Sequence, residues 1–222
     1  MTRGVSIISL ALNIAVGATG VLLGAPSSSL AQSEPASISK HEFRAAEKYI
    51  KTKHNDVRKV LRKPESPKRA TELTEVLGEF LDYEAIARES LDSEWDKHSK
   101  AEQDQFVSLL RQLVERQYQR NMETTLDYDV KWVGSEPIPP KAALVKSSAR
   151  SKKKQRSPAV DIDYSMTPSN ADWAVFDITT DGVSLVKNYR RQFRRIITKE
   201  GWDGLIGRME RKLNASQEDE VF

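Results

Sequence analysis

Few side chains in this sequence are spaced for catalysis. The three histidines, His41, His54 and His98, stand apart in polar helical or turn surroundings, without the spacing of a metal-ligand set. Solvated surface positions are the simpler reading for all three. Ser184 lies in Gly-Val-Ser-Leu-Val, which lacks the second glycine of a nucleophile elbow and suits a helix cap better. Asp161 and Asp163 are two apart on what reads as a strand, so they share a face. A carboxylate pair can exchange protons, but strand alternation by itself already turns both toward solvent. No cysteine is present, which excludes thiol chemistry and a disulfide framework. No metal and no organic cofactor is expected.

Two polar constellations remain. The basic block KSSARSKKKQRS (146–157) lies between two expected strands. It reads as a solvated hairpin tip or as a contact for acidic lipid headgroups, each cation contributing about 1 kcal/mol near a charged surface. It has no interleaved aromatics, and 35 Lys plus Arg face 32 Asp plus Glu over the chain, so nucleic acid is not an expected partner. The second constellation is Asn188, Arg190 and Gln192, which follow an Asp181–Gly182 turn and sit off the apolar stripe of the helix beginning there. They would serve a pocket mouth or a partner. Alternatively Asn188 and Gln192 tie down the turn and Arg190 is solvated; the spacing fits both.

The elements that must position these groups begin after an export signal. Arg3 precedes a long apolar run, and Ser29 and Ala31 stand at the small-residue positions of a cleavage site, so residues 1–31 read as a signal peptide. An uncleaved anchor is the rival, because the run approaches the ~20 residues that span a bilayer. Removal leaves about 190 residues, enough for one domain with a sizeable core. Residues 32–38 read as a flexible leader. Capping boxes at Ser39/Glu42 and Ser99/Glu102 open two helices, and Asp82 caps another. The long helix after Ser99 places Phe106, Leu110, Leu113, Val114 and Tyr118 on its buried side.

Near residue 125 the period changes from 3.6 to 2. Tyr128, Val130 and Trp132 alternate with charged residues, ALVKS (143–147) is a weaker strand, and Val160–Met166 and 172–178 are two more. Leu185, Val186, Tyr189, Phe193, Ile196 and Ile197 return at helical spacing, Gly201 ends that helix, and a last helix carries Leu205, Ile206 and Met209. The expected fold is α+β: helices packed on one face of a curved, mainly antiparallel sheet of about four strands. Such a sheet can be filled solid or left hollow, and periodicity does not distinguish the two.

FLDYEAIARESL, Trp95, FVSLLRQLV, VDIDYSM, WAVFDI and above all DGVSLVKNYRRQF with GWDGLI resemble the toluene-tolerance/MlaC family of periplasmic phospholipid-binding proteins. The likeness runs from about residue 40 to 213, framing a phospholipid-binding domain over 39–213 and a tail over 214–222. Asp92 departs from it, standing where a glycine is expected, and the basic block is longer than expected. The resemblance implies an apolar cavity and a carrier, not an enzyme. That carrier would move phospholipid between an outer-membrane lipoprotein complex and an inner-membrane ABC transporter complex; transient contact at a membrane surface is expected, if anywhere, from the basic block. On this reading Leu110, Leu113, Val130, Trp132, Ile162 and Tyr164 would line the lipid site with Val175, Val183, Leu185, Val186, Tyr189 and Phe193. An enzyme on a similar cone-shaped α+β fold is the alternative; it would need a buried His or Asp with a shifted pKa, and none stands out.

Overall fold

The computed structural model of the protein describes residues 40–153, 157–169 and 172–215. The expected signal peptide, the leader, Ser39 of the first capping box, the side chain of Tyr118 and most of the tail lie outside these residues.

Four helices come first. Helix α1 (Lys40–Leu61) buries Phe43, Ala46, Ile50, Val57 and Val60. Pro64 follows its end, and Ser66 caps α2 (Pro67–Phe80) by accepting from the Arg69 N–H at 3.2 Å, with Pro67 at the position where its missing N–H is harmless. Asp82 caps α3 (Tyr83–Leu91) through the Ala85 N–H at 2.8 Å. A 3-10 turn, Asp92–Lys97, buries Trp95. The Ser99/Glu102 capping box forms as expected, with Ser99 N–H donating to Glu102 Oε2 at 2.8 Å, and opens α4 (Lys100–Thr125).

Five strands follow rather than four: β1 (Tyr128–Ile138), β2 (Ala142–Ser151), β3 (Val160–Pro168), β4 (Trp173–Thr180) and β5 (Val183–Ser184). They form one antiparallel sheet in sequence order. The expected weak strand is ten residues long, so the basic block begins inside β2 instead of at a hairpin tip. Lys146 pairs with Glu136 at 2.7 Å, Lys152 with Asp129 at 3.3 Å and Lys153 with Asp127 at 2.7 Å. Residues 154–156 lie outside the described ones.

Alternation divides the sheet cleanly. Val145, Ser147, Ala149, Ile162 and Met166 are buried under the helices, while Asp129, Lys131, Arg150 and Asp161 face solvent. Two bulges interrupt it. One lies between Trp132 and Gly134, where Gly134 takes φ 148°. The other leaves Phe176 as the extra residue of β4, between the pairs Ser165–Asp177 and Met166–Val175.

The hairpin from β4 to β5 turns on Asp181 and Gly182, both at positive φ (47° and 79°), the backbone that an Asp-Gly pair favours in two-residue hairpins. Helix α5 (Leu185–Asn214) then crosses back over the helical layer and is broken at Gly201, which takes φ 73°. Its last carbonyls, of Lys212, Leu213 and Ala215, accept from Arg116 of α4, a cation where the helix dipole favours one.

Candidate functional site

The start of α5 is fixed by two side chains. The Ser184 hydroxyl caps it, accepting from Lys187 N–H at 3.1 Å and donating to Asp177 Oδ2 at 2.5 Å. Asp177 Oδ1 accepts from Val186 N–H at 3.0 Å. Ser184 is therefore the cap its sequence context suggested. Asp181 reaches the other way, accepting from Asp161 N–H at 2.9 Å, so the turn ties β3 to the root of the helix.

From that root the apolar stripe faces inward. Leu185, Val186 and Phe193 are buried, and Phe193 meets Phe106 of α4 edge-on at 5.4 Å. Tyr189 stacks on Phe193 at 5.3 Å. Leu110, Ile162 and Val175, at 1 %, 3 % and 0 % exposure, are buried. The remaining expected lining residues behave differently. Leu113 of α4, Val130, Trp132 and Tyr164 of the sheet and Tyr189 of α5 share the helix-covered side, yet each keeps an intermediate share of its surface accessible. Trp132 and Tyr164 are 6.0 Å apart across the β1–β3 span. Ile178, opposite Tyr164 in register, joins them and is half-buried as well.

Tyr189 is the most informative of these. Burial pushes its phenol well above the ordinary tyrosine range, and no charge contributes. Its surroundings are apolar, and part of the residue stays accessible.

Several expectations change. Val183 is 53 % exposed on β5 and lines no interior; the tight turn before it points its side chain outward. Gln192 is buried, at 5 % exposure, with neither amide atom hydrogen-bonded. It follows Tyr189 by three residues and Leu185 by seven, so it belongs to the stripe, not beside it. Arg190 is not free. Its Nε donates to Glu89 O at 2.9 Å and its guanidinium reaches the carboxylates of Glu89 at 3.3 Å and Asp92 at 3.8 Å, fastening α5 to the end of α3. Asn188 Oδ1 accepts from Arg191 at 3.2 Å, and neither Asn188 nor Gln192 holds the turn.

The histidines also depart from solvated surface. His54 packs edge-on against Trp132 at 5.7 Å, and burial, aided by Arg58, lowers its pKa to about 4. His98 stacks on Trp202 at 3.6 Å with Nε2 buried and unpartnered. The His41 side chain lies outside the described ones. Asp163 is raised from its ordinary value, chiefly by burial, against the lowering effect of Lys146, on the outer sheet face away from the lined interior. Among the described residues no three His, Cys, Asp or Glu side chains are grouped to hold a metal, and no helix is long and apolar enough to cross a membrane.

No curated protein matches the chain. Among solved structures it is similar to the phospholipid-binding protein from Ralstonia solanacearum, solved in complex with a phospholipid. The TM-score is 0.66 at 20 % identity, over 76 % of this chain and 97 % of that one. At that identity the likeness speaks for the fold: helices over an antiparallel sheet. The sequence itself goes further, because residues 51–211 match the family described as MlaC protein, and the chain belongs to the MlaC family.

Proposed function

We propose that this protein is a periplasmic phospholipid carrier whose acyl-chain cavity lies between the helices and the β1–β3 end of the sheet. The observation that carries the reading is the set of half-buried apolar residues on the helix-covered side, Leu113, Val130, Trp132, Tyr164, Ile178 and Tyr189. Family membership and the phospholipid held by the Ralstonia solanacearum protein of the same fold support it.

The physics requires an enclosed site and no bond-making. Burying a CH₂ gives ~0.8 kcal/mol, so two acyl chains of about 14 methylenes each resist crossing water by ~20 kcal/mol. Aromatic rings and aliphatic side chains replace that water without reacting. The burial-shifted groups nearest the lined interior, Tyr189 and His54, face no carboxylate partner that would make them an acid–base pair. The carrier would pass lipid between an outer-membrane lipoprotein complex and an inner-membrane ABC transporter complex, after export by the signal peptide.

Organic extraction of the purified protein followed by mass spectrometry tests the reading. Co-purified diacyl phospholipid in near-stoichiometric amount is the expected result. Empty protein from repeated preparations, with no uptake from added vesicles, would remove the carrier function.

A further inference from the structure

Between Leu185 and Lys199, α5 carries six cations and no carboxylate: Lys187, Arg190, Arg191, Arg194, Arg195 and Lys199. The apolar face of this stretch is buried, which leaves the charged face outside. Arg190 and Arg194 are neutralised by Glu89 and Asp92 at the end of α3. The other four form no ion pair with any described residue. Lys187, Arg191 and Lys199 are exposed, Arg195 is half-buried, and the four recur every fourth residue along about 18 Å of helix. Arg191 meets only the Asn188 amide, and Glu200, beside Lys199, is already held by Arg208.

A second feature lies on β5, just before the helix. Val183 is one of two exposed large hydrophobic residues among those described, and it precedes Lys187 by four residues. An exposed aliphatic side chain on the strand just before the helix, with a row of cations free of ion pairs on a helix whose other face is committed to the core, suits an anionic bilayer. Nucleic acid fits it poorly. The aromatics of this helix, Tyr189, Phe193 and Trp202, are packed against the core or against other rings, leaving nothing on the ridge for bases to stack upon.

We infer that the outer ridge of α5, led by Val183, is a docking surface for a bilayer containing anionic phospholipid. The surface acts from outside the protein and stands whether or not the interior holds lipid. It is separate from the 146–157 block, whose Lys146, Lys152 and Lys153 are already paired with carboxylates. Held on this ridge, the protein would place the wall helix of its interior against the membrane.

Sedimentation with vesicles tests it. The exported protein, without residues 1–31, is mixed with vesicles of phosphatidylcholine alone and with vesicles containing about 30 % phosphatidylglycerol, at low and at high salt. Binding to the anionic vesicles alone, weakened by salt, is expected. Lys187→Glu with Arg191→Glu should weaken that binding by more than about tenfold, and Val183→Ser by less. Lys152→Glu with Lys153→Glu should leave it nearly intact. Unfolding curves of each variant guard against loss of structure, and the phospholipid content of the same preparations reports separately on the carrier function. Equal binding to both vesicle types, no binding to either, or binding untouched by the α5 reversals would overturn the docking surface. In the second case the cations would be left to an acidic protein or to solvent.

Discussion

The two ends of the covered sheet face are built differently. At one end Ala143, Met166 and Val175 lie side by side in register, all at 0 % exposure, beneath helices that contribute Leu77, Ala87 and Phe106, also at 0 %. A parallel bridge from Leu81 to Val175 and the bond from Asp82 N–H to Val175 O at 2.9 Å cover the sheet edge there. At the other end the large side chains, Val130, Trp132, Tyr164 and Ile178, stay half-open, and the strand between them carries Ser147, Ala149 and Ser151. Both ends are apolar. The difference is cover: at the first end the helices close over even the small Ala143, whereas at the second the large side chains of β1, β3 and β4 keep accessible surface.

The comparison can be broken by substitution, and the closed end should give the largest effect. Phe106→Ala removes a fully buried ring in contact with Phe193 and should cost about 3–5 kcal/mol in denaturant unfolding. A loss below about 1 kcal/mol would mean that this end is not solid.

Acid should act mainly on the open end. His54 has a folded pKa of about 4 against an ordinary 6.5, so between those values the unfolded chain binds the extra proton. Stability is therefore fully present above pH 6.5 and is lost as pH falls through 4, by up to about 3 kcal/mol. In His54→Phe that part of the acid slope should vanish, as unfolding measured at a series of pH values would show.

A smaller effect of opposite sign is expected at Asp92. It takes φ 54° and ψ −123°, a conformation that glycine adopts freely and a side chain does not. Asp92→Gly relieves that strain while giving up ion pairs with Arg190 and Arg194 that are partly exposed and worth little. A net gain of about 1 kcal/mol is expected; a net loss would show that the ion pairs dominate.

The smallest change in stability should come from Ile178→Trp. If Ile178 borders space, the larger ring fills it, stability moves by less than about 1 kcal/mol and bound lipid falls. Val186→Trp is the control, since Val186 is only 5 % exposed and a larger side chain there should overpack the core by about 1–3 kcal/mol. Equal destabilisation by both would erase the distinction between the two ends.

Much of this was legible in the sequence. The period change near residue 125, the Ser99/Glu102 box, the Asp82 and Ser184 caps and the Asp181–Gly182 turn are local signals, and the chain obeys each of them. The misreadings share a cause. His54 falls four residues after Ile50 and three before Val57, and Gln192 falls three after Tyr189, so spacing placed both on buried stripes. Their polarity argued for solvent, and spacing prevailed. Ile178 was hidden in another way. The bulge at Phe176 reverses the parity of β4, so alternation counted from Trp173 predicts the wrong face. Whether the interior is hollow is legible in no single strand, because it depends on side-chain volumes summed across three of them.

Strand β1 has one further consequence. It is eleven residues long and forms the open margin of the sheet, with a neighbour on one side only. A margin of that length would ordinarily offer its free N–H and C=O groups to a second copy of the chain, and so invite polymerisation. Here the bulge before Gly134 bends it midway, Pro137 withholds an N–H, and Lys131 and Glu136 place opposite charges along it. Two such margins laid antiparallel cannot zip past the bend. The bend beside Trp132 thus works against self-assembly through this margin.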